Sequence, residues 1–229
     1  MSGDEVGIMA DGFDDTETLL DVLHESDIEC VAERVVRSAA KACEWDHASV
    51  MVLFPRRTVD VLGVTDDVVR RLDEAQLSLN EGPCLDAVTK NLVVTSPDIA
   101  HDERWPAWGR LVAQEGFGSM LSVRLFTGAR VVGALNAYLT GPRQFDQDHV
   151  TTALVQAHRA AALLALSQRH EELKEAVDRR HHIGIAQGIL MSQYDLDEEA
   201  AFEVLHRYAR SSGRKLRDVA SEVIARRRL

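Results

Sequence analysis

Apolar residues recur at every third or fourth position between Asp14 and Glu44, which predicts an amphipathic helix. The members of this stripe are Leu19, Leu20, Leu23, Ile28, Val31, Val35 and Ala39. Further along, β-rich runs predict short strands, and segments between breaking residues predict short helices. The predicted strands are Ser49–Phe54, Thr58–Val64 and Leu92–Thr95, and the predicted helices are Asp66–Gln76 and Glu103–Glu115.

Two stronger strand signals follow at Ser119–Phe126 and Arg130–Tyr138. The first run alternates between two faces, and the intervening residues Thr127–Ala129 contain a glycine, which is typical of a hairpin. This order of helices and strands indicates an α+β fold with an antiparallel sheet flanked by helices. We assign the domain to residues 14–146, behind an acidic segment at residues 1–13.

The amino-acid composition of the chain changes at Gln147. No proline occurs between Gln147 and Tyr194, and alanine and leucine are frequent, so one long helix is predicted. Positions at alternating steps of four and three form a heptad-like seam: Leu166, His170, Leu173, Val177, Arg180 and Gly184. The helix either packs on its own domain or forms a coiled coil in a homodimer. Its length without a breaker favours the coiled coil, with residues 147–172 as the linking helix.

Three apolar stripes at helical spacing occupy residues 173–229 and predict a three-helix bundle. The stripes are Ile183, Ala186, Ile189 and Leu190; Ala200, Ala201, Val204, Leu205, Tyr208 and Ala209; and Leu216, Val219, Ala220, Val223 and Ile224. Asp195 with Glu198 is expected to form a capping box, and Gly213 to end the middle helix. Gly184 and Gly188, four residues apart, suggest that another backbone approaches closely there.

Composition and charge limit the classes of function that are open to this chain. Of the 229 residues, 45% are apolar and 28% are charged, which is typical of a globular protein. The longest uncharged apolar run, Ala160–Gln168, is too short to cross a bilayer, and the acidic N-terminus lacks an apolar signal core, so we expect a cytoplasmic protein without a membrane partner. The net charge is −11, yet His206–Leu229 carries eight basic and two acidic residues, which favours attraction of phosphate to that end.

The C-terminal stripes carry a specific string of residues. Ala186-Gln187-Gly188-Ile189-Leu190-Met191, then Ala201-Phe202-x2-Leu205, then Lys215-Leu216-Arg217-Asp218-Val219-Ala220 occur in order. Together with Leu173, Val177, Arg180 and Ile183, this string resembles the ANTAR family over about 57 residues. The chain departs from the family pattern at Gln187, where lysine is frequent, and at Gly213, where asparagine is frequent.

The resemblance implies a dimeric RNA binder that holds paired hairpins in nascent transcripts and prevents termination, acting indirectly on the RNA polymerase elongation complex. Loop bases are usually read by arginine, polar and aromatic groups, and phosphates are held by lysine and arginine. The candidate RNA-binding residues are Arg180, Tyr194, Arg207, Arg210, Arg214, Lys215 and Arg217. We expect Arg207, Arg210 and Arg214 on one helix face, Tyr194 in a loop, Lys215 and Arg217 at the start of the last helix, and Phe202 in the core. Arg226–Arg228 is expected to attract RNA only non-specifically.

The segment before Gln147 resembles a GAF domain, through Asn80–Ala87 (NEGPCLDA) and Val123–Tyr138 (VRLFTGARVVGALNAY). This resemblance implies a sensory domain with a pocket for an unidentified small-molecule ligand, or a dimer scaffold. The only cysteine in a predicted pocket loop is Cys84, which is a candidate for ligand or redox sensing, although a small buried hydrophobic role is more frequent. No cofactor is expected.

Two other functions remain open at this point. The three C-terminal helices could form a helix-turn-helix that binds DNA, but Asp218 and Glu222 on the last helix suit DNA poorly. Alternatively, the N-terminal half could be a thiol-dependent sulfoxide reductase, although Cys30 and Cys43 lie on the first predicted helix rather than in pocket loops. The nine histidines are scattered and no catalytic motif occurs, so no metal site and no catalytic residue is expected.

Overall fold

The structure, a computed structural model, describes residues 27–54 and 58–226. The acidic segment 1–13, the first half of the predicted Asp14–Glu44 helix, and Arg227 and Arg228 lie outside the described residues. The helices are α1 (Ile28–Ala42), α2 (Asp67–Leu79), α3 (Pro83–Thr89), α4 (Pro106–Gln114), α5 (Gln147–Tyr194), α6 (Glu198–Ser212) and α7 (Leu216–Arg226). The strands are β1 (His47–Leu53), β2 (Val59–Val64), β3 (Val93–Ser96), β4 (Ser119–Thr127) and β5 (Arg130–Leu139).

The five strands form one antiparallel sheet in the order β2-β1-β5-β4-β3. The predicted hairpin is confirmed, because β4 and β5 pair through Thr127 and Arg130 across a tight turn. β1 lies beside β5 at the centre of the sheet, with Val50 opposite Leu135. The predicted α+β fold with an antiparallel sheet is therefore present.

Each face of the sheet is covered by its own hydrophobic core, because successive side chains of a strand point to opposite faces. Val50 and Leu121 lie on the face that packs against α1 and the first half of α5, together with Val36 and Leu164. Their strand neighbours Met51 and Met120 lie on the opposite face, in a second core. That second core also contains the aromatic side chains Trp105, Trp108, Phe117 and Tyr138 from α4, β5 and the connecting segments.

The predicted long helix is present as α5, which runs without interruption for 48 residues. The chain divides into two compact units, residues 1–169 and 170–229, and α5 contributes residues to both. In the second unit, the end of α5 packs with α6 and α7 around an aliphatic core of Ala186, Leu190, Ala201, Leu205, Ala209, Val219, Ala220 and Val223. The predicted three-helix bundle therefore exists.

The start of α6 differs from the prediction. Its N-cap is Asp197, whose carboxylate accepts a hydrogen bond from the backbone N–H of Ala200 at 2.8 Å. The predicted capping box of Asp195 with Glu198 is wrong, because Asp195 adopts a left-handed conformation directly after α5, with φ of 54°. The predicted stop at Gly213 is confirmed, since this residue is left-handed with φ of 66° and ends α6.

The glycine pair also differs from expectation. No atom of the chain lies within 4 Å of the position that a Cβ would occupy at Gly184 or Gly188, apart from the local helix backbone and chain neighbours. Both residues are exposed. Within the described part of this chain no other backbone approaches these glycines, and approach by the backbone of a second copy stays a prediction.

Replacing Asp197 with alanine is expected to destabilise the first turn of α6 by about 1 kcal/mol, because the N–H of Ala200 loses its acceptor. Amide hydrogen exchange in the first turn of α6 measures this loss as faster exchange. Asp195→Asn is the matched control, since asparagine tolerates the left-handed conformation and Asp195 caps no helix. Equal protection of the two variants would contradict the assignment of the cap.

Candidate nucleic-acid interface

Basic side chains gather around the connection between α6 and α7. Arg207 and Arg210 lie three residues apart in the last half of α6 and are exposed. Neither side chain is hydrogen-bonded or ion-paired to any residue in the described part of the chain. Their guanidinium groups are therefore available to an anionic partner such as phosphate.

Arg214 does not share the face of Arg207 and Arg210, so this prediction is wrong. α6 ends at Ser212, and the left-handed Gly213 redirects the chain before Arg214. The Arg214 guanidinium instead forms an ion pair with Glu222 of α7, and this hydrogen bond holds the pKa of Glu222 below its ordinary value. Arg214 thereby links the α6–α7 connection to α7. The Glu222 carboxylate also forms an ion pair with the Arg226 guanidinium, with an N–O distance of 2.8 Å.

Lys215 and Arg217 lie at the N-terminus of α7, close to the predicted position. The carbonyl of Lys215 accepts hydrogen bonds from the N–H groups of Asp218 at 3.0 Å and Val219 at 3.2 Å, so Lys215 immediately precedes the helix. Both basic side chains are exposed, and Arg217 makes a loose contact of 3.4 Å with Asp218. Two positive charges therefore flank the positive end of a helix dipole.

The remaining predicted residues lie on α5. Arg180 is exposed in the middle of the helix, and Tyr194 is exposed as its last residue rather than in the following loop. Gln187, where the family often has lysine, donates a hydrogen bond from Nε2 to the carbonyl of Glu198 at 3.2 Å. This glutamine therefore joins the end of α5 to the start of α6 instead of holding phosphate.

Two aromatic residues lie where the sequence did not place them. Phe202, expected in the core, is exposed and stacks on His206. Tyr208, which was counted in the middle apolar stripe, is exposed as well. The bundle core contains alanine at four positions, which brings short helices close together and leaves little room for a ring between them.

The GAF-like sheet contains a separate feature, a buried polar cluster that sequence reasoning missed. The Asp73 carboxylate of α2 accepts three hydrogen bonds at one oxygen, Oδ1. The donors are the Tyr138 hydroxyl at 2.5 Å, Gln76 Nε2 at 2.9 Å and Asn136 Nδ2 at 3.4 Å. The second oxygen, Oδ2, is buried and has no hydrogen-bond partner. These residues are separated by up to 65 positions, so only the folded sheet brings them together.

Burial governs the protonation of this cluster. Desolvation raises the pKa of Asp73 to about 6, although hydrogen bonds from Ser49, Tyr138, Gln76 and Asn136 act in the opposite direction. Desolvation, with the neighbouring Asp73 charge, also holds the pKa of the Cys84 thiol and of the Tyr138 hydroxyl well above their ordinary values. Near neutral pH, Cys84 and Tyr138 are therefore protonated.

The NEGPCLDA motif has a structural part in this arrangement. Asn80 ends α2 in a left-handed conformation, and the Glu81 carboxylate accepts hydrogen bonds from the N–H groups of Ala107 at 2.9 Å and Trp108 at 3.2 Å, at the start of α4. Gln76 Oε1 accepts from the N–H of Cys84 at 2.9 Å. The motif thus fixes α2, α3 and α4 to one another over the second core.

The cysteines occupy different environments. Cys84 is fully buried, Cys43 is half-buried and Cys30 is exposed, and all three are free. A buried, protonated thiol reacts poorly, which favours packing over redox sensing as the role of Cys84. Within residues 27–54 and 58–226, no group of three potential metal ligands comes together, and no helix combines the length and hydropathy needed to cross a bilayer.

Replacing Asp73 with asparagine is expected to change how stability depends on pH. Because the folded-state pKa of about 6 lies above the ordinary aspartate value, the folded chain holds this proton more tightly than the unfolded chain. The stabilising contribution of this proton to the free energy of unfolding is fully present below about pH 4 and is lost as the pH rises through 6. It amounts to roughly 3 kcal/mol at most. The free energy of unfolding of the Asp73→Asn variant should not fall in this way as the pH rises. Urea unfolding, followed by tryptophan fluorescence at several pH values, measures it.

Asp60→Asn is the matched control for this experiment, because Asp60 lies exposed on β2. It removes the same charge without changing the buried cluster. An identical pH profile for Asp73→Asn and the wild type would contradict a protonated, buried Asp73.

The fold is shared with solved GAF structures. The chain is similar to a domain described as belonging to a two-component sensor histidine kinase of Sinorhizobium meliloti 1021, with 15% identity, a TM-score of 0.52, and coverage of 65% of this chain and 97% of that one. It is also similar to the GAF domain of a phosphoenolpyruvate-protein phosphotransferase from Coxiella burnetii, with 14% identity, a TM-score of 0.51, and coverage of 68% and 95%. A third similar structure is the cyanobacteriochrome TePixJ GAF domain, with 14% identity, a TM-score of 0.51, and coverage of 64% of this chain and 94% of that one. At these identities the likeness establishes the fold alone.

Family models match both parts of the chain. A GAF domain matches residues 25–165 and an ANTAR domain matches residues 171–224. None of the curated proteins compared with this chain matches it. GAF domains are sensory, ANTAR domains are RNA-binding antiterminator domains, and both are regulatory. The chain belongs to the GAF domain family and carries an ANTAR domain behind its GAF domain.

Proposed function

We propose that this protein is a cytoplasmic transcription antiterminator that binds hairpins in nascent RNA under the control of its GAF domain. The observation that carries the proposal is the set of exposed basic side chains at the α6–α7 connection. Arg207, Arg210 and Lys215 have no partner in the described part of the chain and lie within the ANTAR match. Holding a hairpin prevents formation of the competing terminator, so the elongating RNA polymerase is affected without direct contact.

The contacts divide into two chemical classes. Lys215, Arg217, Arg207 and Arg210 supply the charge that holds phosphates, and Arg180 extends this charge along α5. Tyr194, 55% exposed at the end of α5, supplies a ring that can stack on a loop base. No bond is made or broken in this function, so it needs no catalytic residue and no cofactor.

A homodimer is the second element of the proposal. On the heptad-like seam of α5, Leu173 is 67% exposed and Val177 is 66% exposed in the single chain. Residues 172–182 of α5 are exposed without exception. A second copy that packs along this seam would cover both apolar side chains, and the open space at Gly184 would admit its backbone. Two ANTAR domains would then be available for paired hairpins.

Regulation is assigned to the GAF domain. Its second core holds a carboxylate oxygen without a partner, at Asp73 Oδ2. A small molecule that reaches this face of the sheet would find an acceptor there, together with the Tyr138 hydroxyl and the Cys84 thiol.

The structure favours RNA over double-stranded DNA as the partner. The last helix of a helix-turn-helix must offer side chains to base edges in the major groove. On α7, Glu222 is engaged by Arg214 and Arg226, and the exposed Asp218 would face the phosphates. Glu222 is neutralised by these two arginines, so Asp218 is the carboxylate on α7 that opposes insertion of the helix into a groove.

Lys215→Ala combined with Arg217→Ala is expected to weaken hairpin binding and to lower the slope of log affinity against log salt by about 1 to 2, because two phosphate contacts are lost. Filter binding or fluorescence anisotropy across a salt series measures both effects. The charge-matched control is Arg37→Ala with Lys41→Ala on α1, which should bind as the wild type does.

Sedimentation analysis of the same variants shows whether Lys215 and Arg217 contact RNA or instead pack within the dimer. The Lys215/Arg217 variant is expected to remain a dimer, because both side chains are exposed away from the bundle core. Dissociation into monomers would refute their assignment as RNA contacts. Equal competition by double-stranded DNA and hairpin RNA would favour the DNA-binding alternative.

The sulfoxide reductase alternative predicts a reactive thiol. We expect Cys30 to react promptly with a thiol reagent in the native protein, and Cys84 to react only after unfolding, because Cys84 is fully buried. Mass mapping of the modified cysteines measures this difference. Turnover of free methionine sulfoxide by the wild type that is lost in Cys84→Ser would refute the non-enzymatic assignment.

A further inference from the structure

The ANTAR domain keeps every one of its aromatic rings out of its core. Residues 170–229 contain three aromatic residues of the Phe, Trp and Tyr class, namely Tyr194, Phe202 and Tyr208. They are 55%, 39% and 41% exposed, while the core they could have joined is entirely aliphatic. Each ring therefore keeps part of its surface open to solvent, where it is accessible to a partner.

Phe202 has the best-defined geometry of the three. Its ring and the imidazole of His206, one turn later on α6, have centroids 6.0 Å apart and planes inclined by only 13°. Arg210 follows after one more turn, on the same side of the helix. The two nearly parallel rings therefore support each other on α6, and the next turn carries the guanidinium group of Arg210, which has no partner in the described part of the chain.

The charges around this surface indicate which part of an RNA it fits. Glu199 lies three residues before Phe202 and Glu203 directly follows it; both carboxylates are exposed in the first half of α6 and repel phosphate. Arg207 and Arg210 attract phosphate in the second half. A nucleobase suits the first half, because it carries no charge, stacks on an aromatic ring and offers amino groups that a carboxylate can accept.

We propose that the Phe202–His206 pair stacks on an unpaired base in the loop of the bound hairpin, with Arg210 holding the adjacent phosphate. This inference rests on the proposed RNA-binding function and names the residues that read the loop rather than the backbone. Phe202 is thus a specificity-determining residue, whereas Lys215 and Arg217 supply affinity for any phosphate chain.

The test uses the full chain and a pool of hairpin RNAs with one fixed stem and a randomised loop. The loop enriched by the wild type is then synthesised with a fluorescent adenine analogue at successive loop positions. Phe202→Ala should bind this hairpin about fivefold to a hundredfold more weakly, which is the usual effect of removing one base-stacking ring. The fluorescence quenching at one loop position should disappear with it.

Two further variants distinguish stacking from apolar contact. Phe202→Tyr keeps the ring and should bind within a few-fold of the wild type, whereas Phe202→Leu keeps an apolar side chain without the ring and should lose the quenching. All variants should bind the blunt stem without a loop as the wild type does, since that contact is made through phosphate. The Lys215/Arg217 variant should instead lose affinity for both RNAs.

The outcomes separate this inference from the function on which it rests. If the wild type binds the enriched hairpin and Phe202→Ala binds it equally well, the base-stacking assignment is overturned and the RNA-binding function stands. If the wild type enriches no loop and binds no hairpin, both are overturned. If Phe202→Ala becomes monomeric, the ring contacts a second copy of the chain, and the assignment to a base fails.

Discussion

Helix α5 is the element on which both halves of this chain depend, because one uninterrupted backbone serves two hydrophobic cores. Leu164 completes the core under the sheet, and Leu190 completes the core of the ANTAR domain. Between them, residues 172–182 are exposed and contact neither core. A helical segment without a buried face is stabilised only by its local propensity and by a partner. The exposed Leu173 and Val177 give this segment an apolar seam. A second copy that covered the seam would therefore also stabilise the exposed part of the helix.

The sheet domain illustrates a different constraint, the cost of a buried carboxylate. Asp73 receives three hydrogen bonds at Oδ1 and none at Oδ2, so its charge is only half compensated. An apolar residue at this position would avoid that penalty. Unsatisfied buried groups concentrate at functional sites, where a ligand or proton completes them. The free Oδ2 atom of Asp73 is thus the point at which the proposed ligand would act, and the NEGP turn fixes three helices around this cluster.

Patterns within one element were predictable from the sequence, and relations between elements were not. Alternation in Ser119–Phe126 and the absence of proline after Gln147 identified the hairpin and α5, and the ordered ANTAR string identified the C-terminal domain. Counting along one helix failed at Arg214, because Gly213 turns the chain before it. The resemblance to the ANTAR family placed Phe202 in the core, but four alanines in that core bring the helices close together and leave little room for a ring. The Asp73 cluster had no sequence signal, because Asp73 and Tyr138 meet only through pairing of β1 with β5 and packing of α2.

The distribution of charge explains how such a small basic surface can be selective. The net charge of −11 is unevenly distributed along the sequence: residues 1–26 carry eight acidic and no basic residues, whereas His206–Leu229 carries eight basic and two acidic residues. Within α6 the same division recurs over a few turns, with Glu199 and Glu203 before Arg207 and Arg210. In the proposed binding mode, phosphate fits the second half of the helix and is repelled from the first half, so an RNA that lies across Phe202 would present a base there. Affinity, supplied by Lys215, Arg217 and the basic second half of α6, would then be separable from recognition of the loop, which rests on the aromatic first half of α6.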